Sequence, residues 1–260
     1  HSVGEFVAAT LAGLWTVEDA ITLVARRGQL MQALPPGAML AVRLSADDLA
    51  RKLSGSLCVA AVNGPTSCVA SGPTPEIEQL QASLSSAGVA CRPLSTSHAF
   101  HSSMMEPAMA VFEELVARVP RGQPSARWIS TCTGQPMTAA EWDDPAYWSR
   151  QLRSPVLFHP AIGSLLDGPR LVFLELGPGQ ALASGVRRIS SSSEITAIHS
   201  LPGGHRGSDD TATLLQAAGR IWECGVPIDW QSLNAAAARR RVPLPTYPFQ
   251  RKRYWREPAH

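Results

Sequence analysis

Three short stretches carry side chains able to do chemistry, and each also has a plainer structural reading. The chain opens His1-Ser2-Val3-Gly4, and a helical pattern of apolar residues starts at once with Glu5 and Phe6. A serine two residues before a glycine at the head of a helix is the second half of a G-x-S-x-G elbow. There a sharp turn exposes the hydroxyl, and the helix N-terminus faces a developing oxyanion. The same residues equally describe an N-cap, whose hydroxyl accepts from the free N–H groups of the first turn. The second stretch is Ser97-His98-Ala99-Phe100-His101-Ser102. An imidazole on a loop between two subdomains can take a serine proton across a cleft, and His101 is the candidate base; an inert surface histidine is the other reading. The third is Arg26-Arg27. A guanidinium makes two parallel bonds to a carboxylate, whereas a solvated helix face would carry the same pair.

These groups need a scaffold. Helical periodicity runs from Glu5 to Leu14 and again from Thr16 to Leu34, with Thr16 as N-cap and Pro35-Pro36 as the stop. From Ala38 the pattern reads strand, capped helix (45–53), strand (57–63), turn at Asn63-Gly64-Pro65, strand (67–71), helix (74–87) and strand (89–94). That order, βαββαβ, is the ferredoxin-like arrangement. Beyond it come an amphipathic helix (105–119), a short strand (127–131), a Trp-bearing helix (139–152), and an apolar run (171–176) that reads as a buried parallel strand. A helix (181–188), a strand (194–198) and a further helix near 211–223 follow, and the Pro-rich, basic-aromatic end reads as a linker.

Composition bounds the function. Of 260 residues, 45% are hydrophobic and 17% charged, which describes a folding chain, and 23 Lys+Arg against 21 Asp+Glu leave a formal charge of +2. So small an imbalance argues against nucleic acid as a partner. No apolar run is long enough for a membrane span or a signal peptide, so a cytoplasmic location is expected. The 5 cysteines are widely spaced and odd in number, which disfavours both a disulfide framework and a zinc site; most are expected to be buried. The chain begins with His1 directly on a helical pattern, as a piece of a longer polypeptide would.

Taken together and in order, HSVGE, ARRGQLMQ, AVNGPTSCVASG, SHAFHSSMMEP, RQLRSPV and FLELGPGQAL resemble acyltransferase domains of modular polyketide synthases. They are also similar to malonyl-CoA:acyl carrier protein transacylases. The resemblance implies an α/β fold: an α/β-hydrolase-like large subdomain with a parallel sheet, carried by residues 1–35 and 104–200, and an inserted ferredoxin-like small subdomain at 36–103. Residues 201–260 would be the linker that follows such a domain, ending in LPTYPFQRKRYW.

The resemblance also implies roles. Ser2 is the nucleophile and His101 the general base. Val3 supplies an oxyanion N–H, the Gln151 backbone carbonyl orients His101, and Arg27 binds the free carboxylate of the extender unit. His98 and Phe100, in HAFH, together with Val3 mark a preference for malonyl over methylmalonyl. The substrate would be malonyl-CoA and the acceptor the phosphopantetheine thiol of an acyl carrier protein, beside a ketosynthase and other synthase domains, with no metal or redox cofactor. Arg251, Lys252, Arg253 and Arg256 either dock the linker onto its own module or attract an acidic carrier; Tyr247, Phe249, Tyr254 and Trp255 favour packing. The family's strand before the elbow and a second oxyanion donor are not in this sequence, so a relaxed turn at Ser2 and poor activity of the chain alone are expected. Two other classes stay open: a serine esterase or thioesterase of α/β-hydrolase type, and a non-catalytic piece.

Overall fold

The connection between the first two helices, α1 (Gly4–Leu11) and α2 (Val17–Gln32), is written into two residues. Gly13 turns the chain at φ 91°, where a side chain would be strained, and the Thr16 hydroxyl accepts from the Asp19 N–H at 3.1 Å. The computed structural model describes residues 1–166, 171–189, 195–204, 209–235, 242–252 and 255.

Next come β1 (Ala38–Val42), α3 (Ala46–Ala50), β2 (Cys58–Gly64), β3 (Ser67–Gly72), α4 (Thr74–Ser86) and β4 (Cys91–Pro93). They form a four-stranded sheet in the order β2-β3-β1-β4, antiparallel throughout, which is the topology that βαββαβ implies. Strand alternation sends Leu40, Val42, Cys68 and Ala70 to a core shared with Leu49, Ile77, Leu80 and Leu84 of α3 and α4. The opposite pleat sends Met39 and Val69 to a second core, so this sheet is covered on both faces.

The rest of the chain supplies that cover. It continues with α5 (Glu106–Arg118), α6 (Ala139–Trp142), α7 (Pro145–Arg153), α8 (Phe158–Leu166), β5 (Val172–Pro178), α9 (Ala181–Ile189), β6 (Thr196–Leu201), α10 (Asp210–Glu223) and α11 (Trp230–Asn234). Phe158 and Ile162 of α8 and Ala183 and Val186 of α9 pack under the small sheet, and β5 pairs in parallel with β6. A parallel bridge between Ala61 and Val156, with Val62 N–H donating to the Val156 carbonyl at 2.9 Å, ties the two parts together. A third core, around Phe6, Leu14, Trp15, Leu23, Phe112 and Trp148, joins α1, α2, α5 and α7. At the seam a Cβ on Gly37 would meet the Ala99 Cβ at 2.6 Å, so the loop carrying His98 to His101 lies directly on the end of the first helical pair.

Several expectations are corrected. The strand at 127–131 reduces to a single bridge between Ile129 and Pro136. The helix at 139–152 is two helices, because Asp144 caps a new start and Pro145 takes its first position. Helix α8 is obscured in the sequence by Pro160 and Gly163. β5 is parallel but not buried: Leu174 and Leu176 are 39% and 59% exposed, since only β6 pairs with it among the described residues. Within 201–260 the expected helix near 211–223 is α10, which buries Ala217 and Ala218, and the short α11 follows it. Of the cysteines only Cys68 is buried; the other four are half-buried, and all are free thiols. Tyr247, Phe249 and Trp255 are exposed rather than packed, as are Arg251 and Lys252. Arg253, Tyr254 and Arg256 lie outside the described residues. No helix among the described residues is long and apolar enough to cross a membrane.

Candidate active site

Ser2 precedes α1 by two residues and sits at φ 49°, a left-handed conformation that costs an L-residue roughly 1–2 kcal/mol. The expected relaxed turn is therefore not what the structure holds, and of the two reasons for poor activity of the chain alone only the missing second oxyanion donor is left. The turn is kept by Gly4 N–H donating to the His1 carbonyl and Glu5 N–H to the Ser2 carbonyl, each at 3.0 Å, and by the His1 ring bonding Asn63 Oδ1 at 2.8 Å. Val3 follows in helical conformation with no side-chain cap, so Ser2 is not the N-cap of the plainer reading. The Val3 N–H, first of the helix's free donors, takes no protein acceptor among the described residues.

His101 also has a positive φ, 57°, and is buried. Its backbone N–H donates to the Leu152 carbonyl at 3.2 Å, which holds the loop after β4 against the end of α7. Nε2 lies 2.7 Å from Ser2 Oγ, and Nδ1 lies 2.8 Å from the Ser154 carbonyl. A carbonyl only accepts, so Nδ1 carries the proton and Nε2 is free to receive one from the serine. The partner carbonyl is Ser154's where Gln151's was expected. α7 ends at Arg153, and the first residue outside it turns its carbonyl to the ring; the Gln151 backbone makes a smaller contribution in the same sense.

Burial, and then the nearby positive charge of Arg27, push the His101 imidazole down to about 4 from its ordinary 6.5. The ring is thus unprotonated through the physiological range, and its Nε2 lone pair is available to accept a proton. Between 6.5 and about 4 the unfolded chain binds a proton that the folded one refuses, so stability declines as the solution is acidified through that window. Modification of Ser2 by an uncharged fluorophosphonate is expected to be flat from pH 8 to about 5 and to fall on the acid side, with Arg27→Ala moving that limb to higher pH. A limb centred at 6.5 in the unsubstituted protein would contradict this placement of the ring.

Arg26 and Arg27 part company on α2. Arg26 is exposed and donates to Gln29 Oε1 at 3.0 Å, whereas Arg27 is buried, with its guanidinium carbon 6.0 Å from the Phe6 ring centre. One Arg27 nitrogen approaches Ser2 Oγ at 3.4 Å; Nε has no partner, and no carboxylate pairs with it among the described residues. Burial alone lowers its pKa to about 10, so it stays a cation. A buried guanidinium that meets a serine hydroxyl and, among the described residues, no carboxylate has the charge and the free donors to hold an anion.

The remaining candidates divide. His98 is buried with both nitrogens engaged, Nδ1 with Ser97 Oγ at 2.8 Å and Nε2 with the Leu34 carbonyl at 3.0 Å. It ties the loop to the end of α2 instead of presenting a free edge. Phe100 is half-buried where the α1/α2/α5/α7 core and the core under the small sheet meet, 6.1 Å from the His98 ring. Glu5, which has no candidate role in the sequence reading, is buried directly below the elbow; its only sequence signal is a carboxylate in the first turn of an otherwise apolar helix.

Comparison with known proteins gives the class. The family model described as acyl transferase domain matches residues 1–227, and the chain belongs to that family. Among curated relatives, a phenolphthiocerol/phthiocerol polyketide synthase of Mycobacterium tuberculosis is 38% identical over the whole chain, which spans 18% of that protein. The solved acyltransferase domain from the second module of the salinomycin polyketide synthase superposes with a TM-score of 0.81 at 37% identity, covering 95% of this chain and 58% of that one. The malonyl CoA-acyl carrier protein transacylase of Clostridium perfringens gives 0.76 at 25% identity, over 86% of this chain and 70% of that one.

Proposed function

We propose that this chain moves a malonyl group from coenzyme A to the phosphopantetheine thiol of an acyl carrier protein through an ester on Ser2. The observation that carries the reading is Arg27: a buried cation without an anionic partner among the described residues, 3.4 Å from a serine hydroxyl that is itself bonded to a neutral imidazole. The name of the Clostridium perfringens relative supports the same substrate and acceptor.

The cycle needs only these groups. His101 Nε2 takes the Oγ proton as Oγ attacks the thioester carbonyl, and the Val3 N–H donates to the oxyanion that forms. The C–S bond then breaks, and the imidazolium returns its proton to the departing thiolate, releasing coenzyme A. The pantetheine thiol gives its proton to His101 and attacks the ester, and Ser2 regains its hydroxyl proton as the acyl group leaves on the carrier. No step calls for a metal or redox cofactor. Arg27 meanwhile holds the far carboxylate and so places the thioester carbonyl over Oγ.

An esterase of α/β-hydrolase type would want Asp or Glu on the histidine. His101 Nδ1 faces a carbonyl, and the nearby Glu5 is bonded elsewhere. The test is transfer of labelled malonyl from coenzyme A to a phosphopantetheinylated carrier: label on the carrier supports the reading, and release of free malonate without transfer would overturn it. In this reading Phe100 fills the space that a methyl branch on the acyl group would need. Phe100→Ser is expected to raise methylmalonyl relative to malonyl kcat/KM by about 10- to 200-fold, the worth of one methyl in a tight pocket. An unchanged ratio would remove Phe100 from substrate selection.

A further inference from the structure

We infer that Glu5, acting through Gln151, is a positioning residue that aims the Val3 N–H at the oxyanion; this rests on the reading of Ser2 as nucleophile. Four donors converge on the buried Glu5 carboxylate: the Tyr147 hydroxyl on Oε1, and on Oε2 the Thr131 hydroxyl, the Thr131 N–H at 3.2 Å and Gln151 Nε2 at 3.1 Å. Burial, and then the Glu5 charge, raise the Tyr147 pKa, so its hydroxyl stays a donor; its oxygen lies 2.6 Å from Ser130 Oγ. The carboxylate of α1 is thereby fixed by two elements more than a hundred residues further along the chain, α7 and the turn at Ser130.

Gln151 passes that rigidity on. Its Nε2 donates its second proton to the Ser2 carbonyl at 2.9 Å, while Oε1 is buried with no partner among the described residues. The amide NH2 satisfies two acceptors this way, and the reversed amide would set its oxygen against both. The Ser2 carbonyl consequently takes two donors, Gln151 Nε2 and the Glu5 N–H at 3.0 Å. Because the Ser2–Val3 peptide is planar and trans, its C=O and N–H point in opposite directions. Holding the carbonyl down toward Gln151 holds the Val3 N–H up toward the reacting carbon, and keeps Ser2 at its positive φ. Glu5 touches no reacting atom.

Two variants test this, Gln151→Leu and Glu5→Gln, each with the melting temperature recorded and rates normalised to folded protein. The rates are Ser2 modification by an uncharged fluorophosphonate, and single-turnover acylation by malonyl-CoA with its KM. A loss of about 10- to 100-fold in both rates with KM unchanged is expected, short of the roughly 100- to 1,000-fold that deletion of an oxyanion donor costs. Glu5→Gln, which keeps shape, provides the reading should Gln151→Leu fail to fold. Unaltered rates in folded variants, or a rise in KM alone, would overturn the positioning role. An unsubstituted protein that the fluorophosphonate does not label at Ser2 would overturn the nucleophile reading, and this inference with it. Labelling by fluorophosphonate without acylation by malonyl-CoA would overturn the substrate assignment alone, and the fluorophosphonate rates would still decide the role of Glu5.

Discussion

Arg27→Ala is expected to cut malonyl acylation relative to acetyl acylation by roughly a hundred- to a few-thousand-fold. That range corresponds to the about 3 to 5 kcal/mol lost when one member of a buried ion pair is removed. In the free protein the guanidinium is already buried, with an unpaired Nε, so most of its desolvation has been incurred on folding and a carboxylate ligand recovers it. An acetyl group would leave the cation alone, so discrimination by charge is expected to exceed discrimination by size. Arg27→Lys keeps the charge but not the planar fork, and should fall between the two. Competition kcat/KM values for malonyl-CoA and acetyl-CoA measure the effect. A ratio that does not move would detach Arg27 from the substrate.

Ser2→Ala carries the other large effect. Removing the nucleophile of a serine–histidine pair lowers turnover by about a million-fold where the residues act as a unit. His101→Ala should cost a comparable factor and the double variant little more, because in the proposed cycle Oγ and Nε2, 2.7 Å apart, share one proton transfer and one attack. Single-turnover transfer to the carrier reads this directly. Costs that multiplied in the double variant would mean that the two side chains act independently.

The local patterns were readable and the long-range ones were not. Thr16 and Ser45 cap helices because their hydroxyls reach an N–H three residues on, a relation contained within four residues of sequence. The βαββαβ order follows from period-two and period-3.6 stretches of the chain, and its sheet order with it. The carbonyl facing His101 Nδ1 depends instead on where α7 stops and how Ser154 leaves it, a matter of backbone path and not of residue type. Glu5 reads as a helix-start carboxylate until Thr131, Tyr147 and Gln151 are brought to it from more than a hundred residues away. Periodicity does separate Arg27, which has Leu23, Val24, Leu30 and Met31 at i±3 and i±4, from Arg26, which faces Thr22 and Gln29; what no helical pattern contains is that the buried guanidinium meets Ser2 and no carboxylate among the described residues. β5 reads as buried from its apolar run, yet exposure depends on what lies beside it, which no window of sequence contains.

Incubation of the protein with equimolar malonyl-CoA and acetyl-CoA, followed by intact-mass measurement and peptide mapping, tests the account most directly. A malonyl adduct on Ser2 in large excess over acetyl, absent from Ser2→Ala and lost in favour of acetyl in Arg27→Ala, is the predicted outcome. An adduct on any other residue, or equal malonyl and acetyl loading of Ser2, would contradict it.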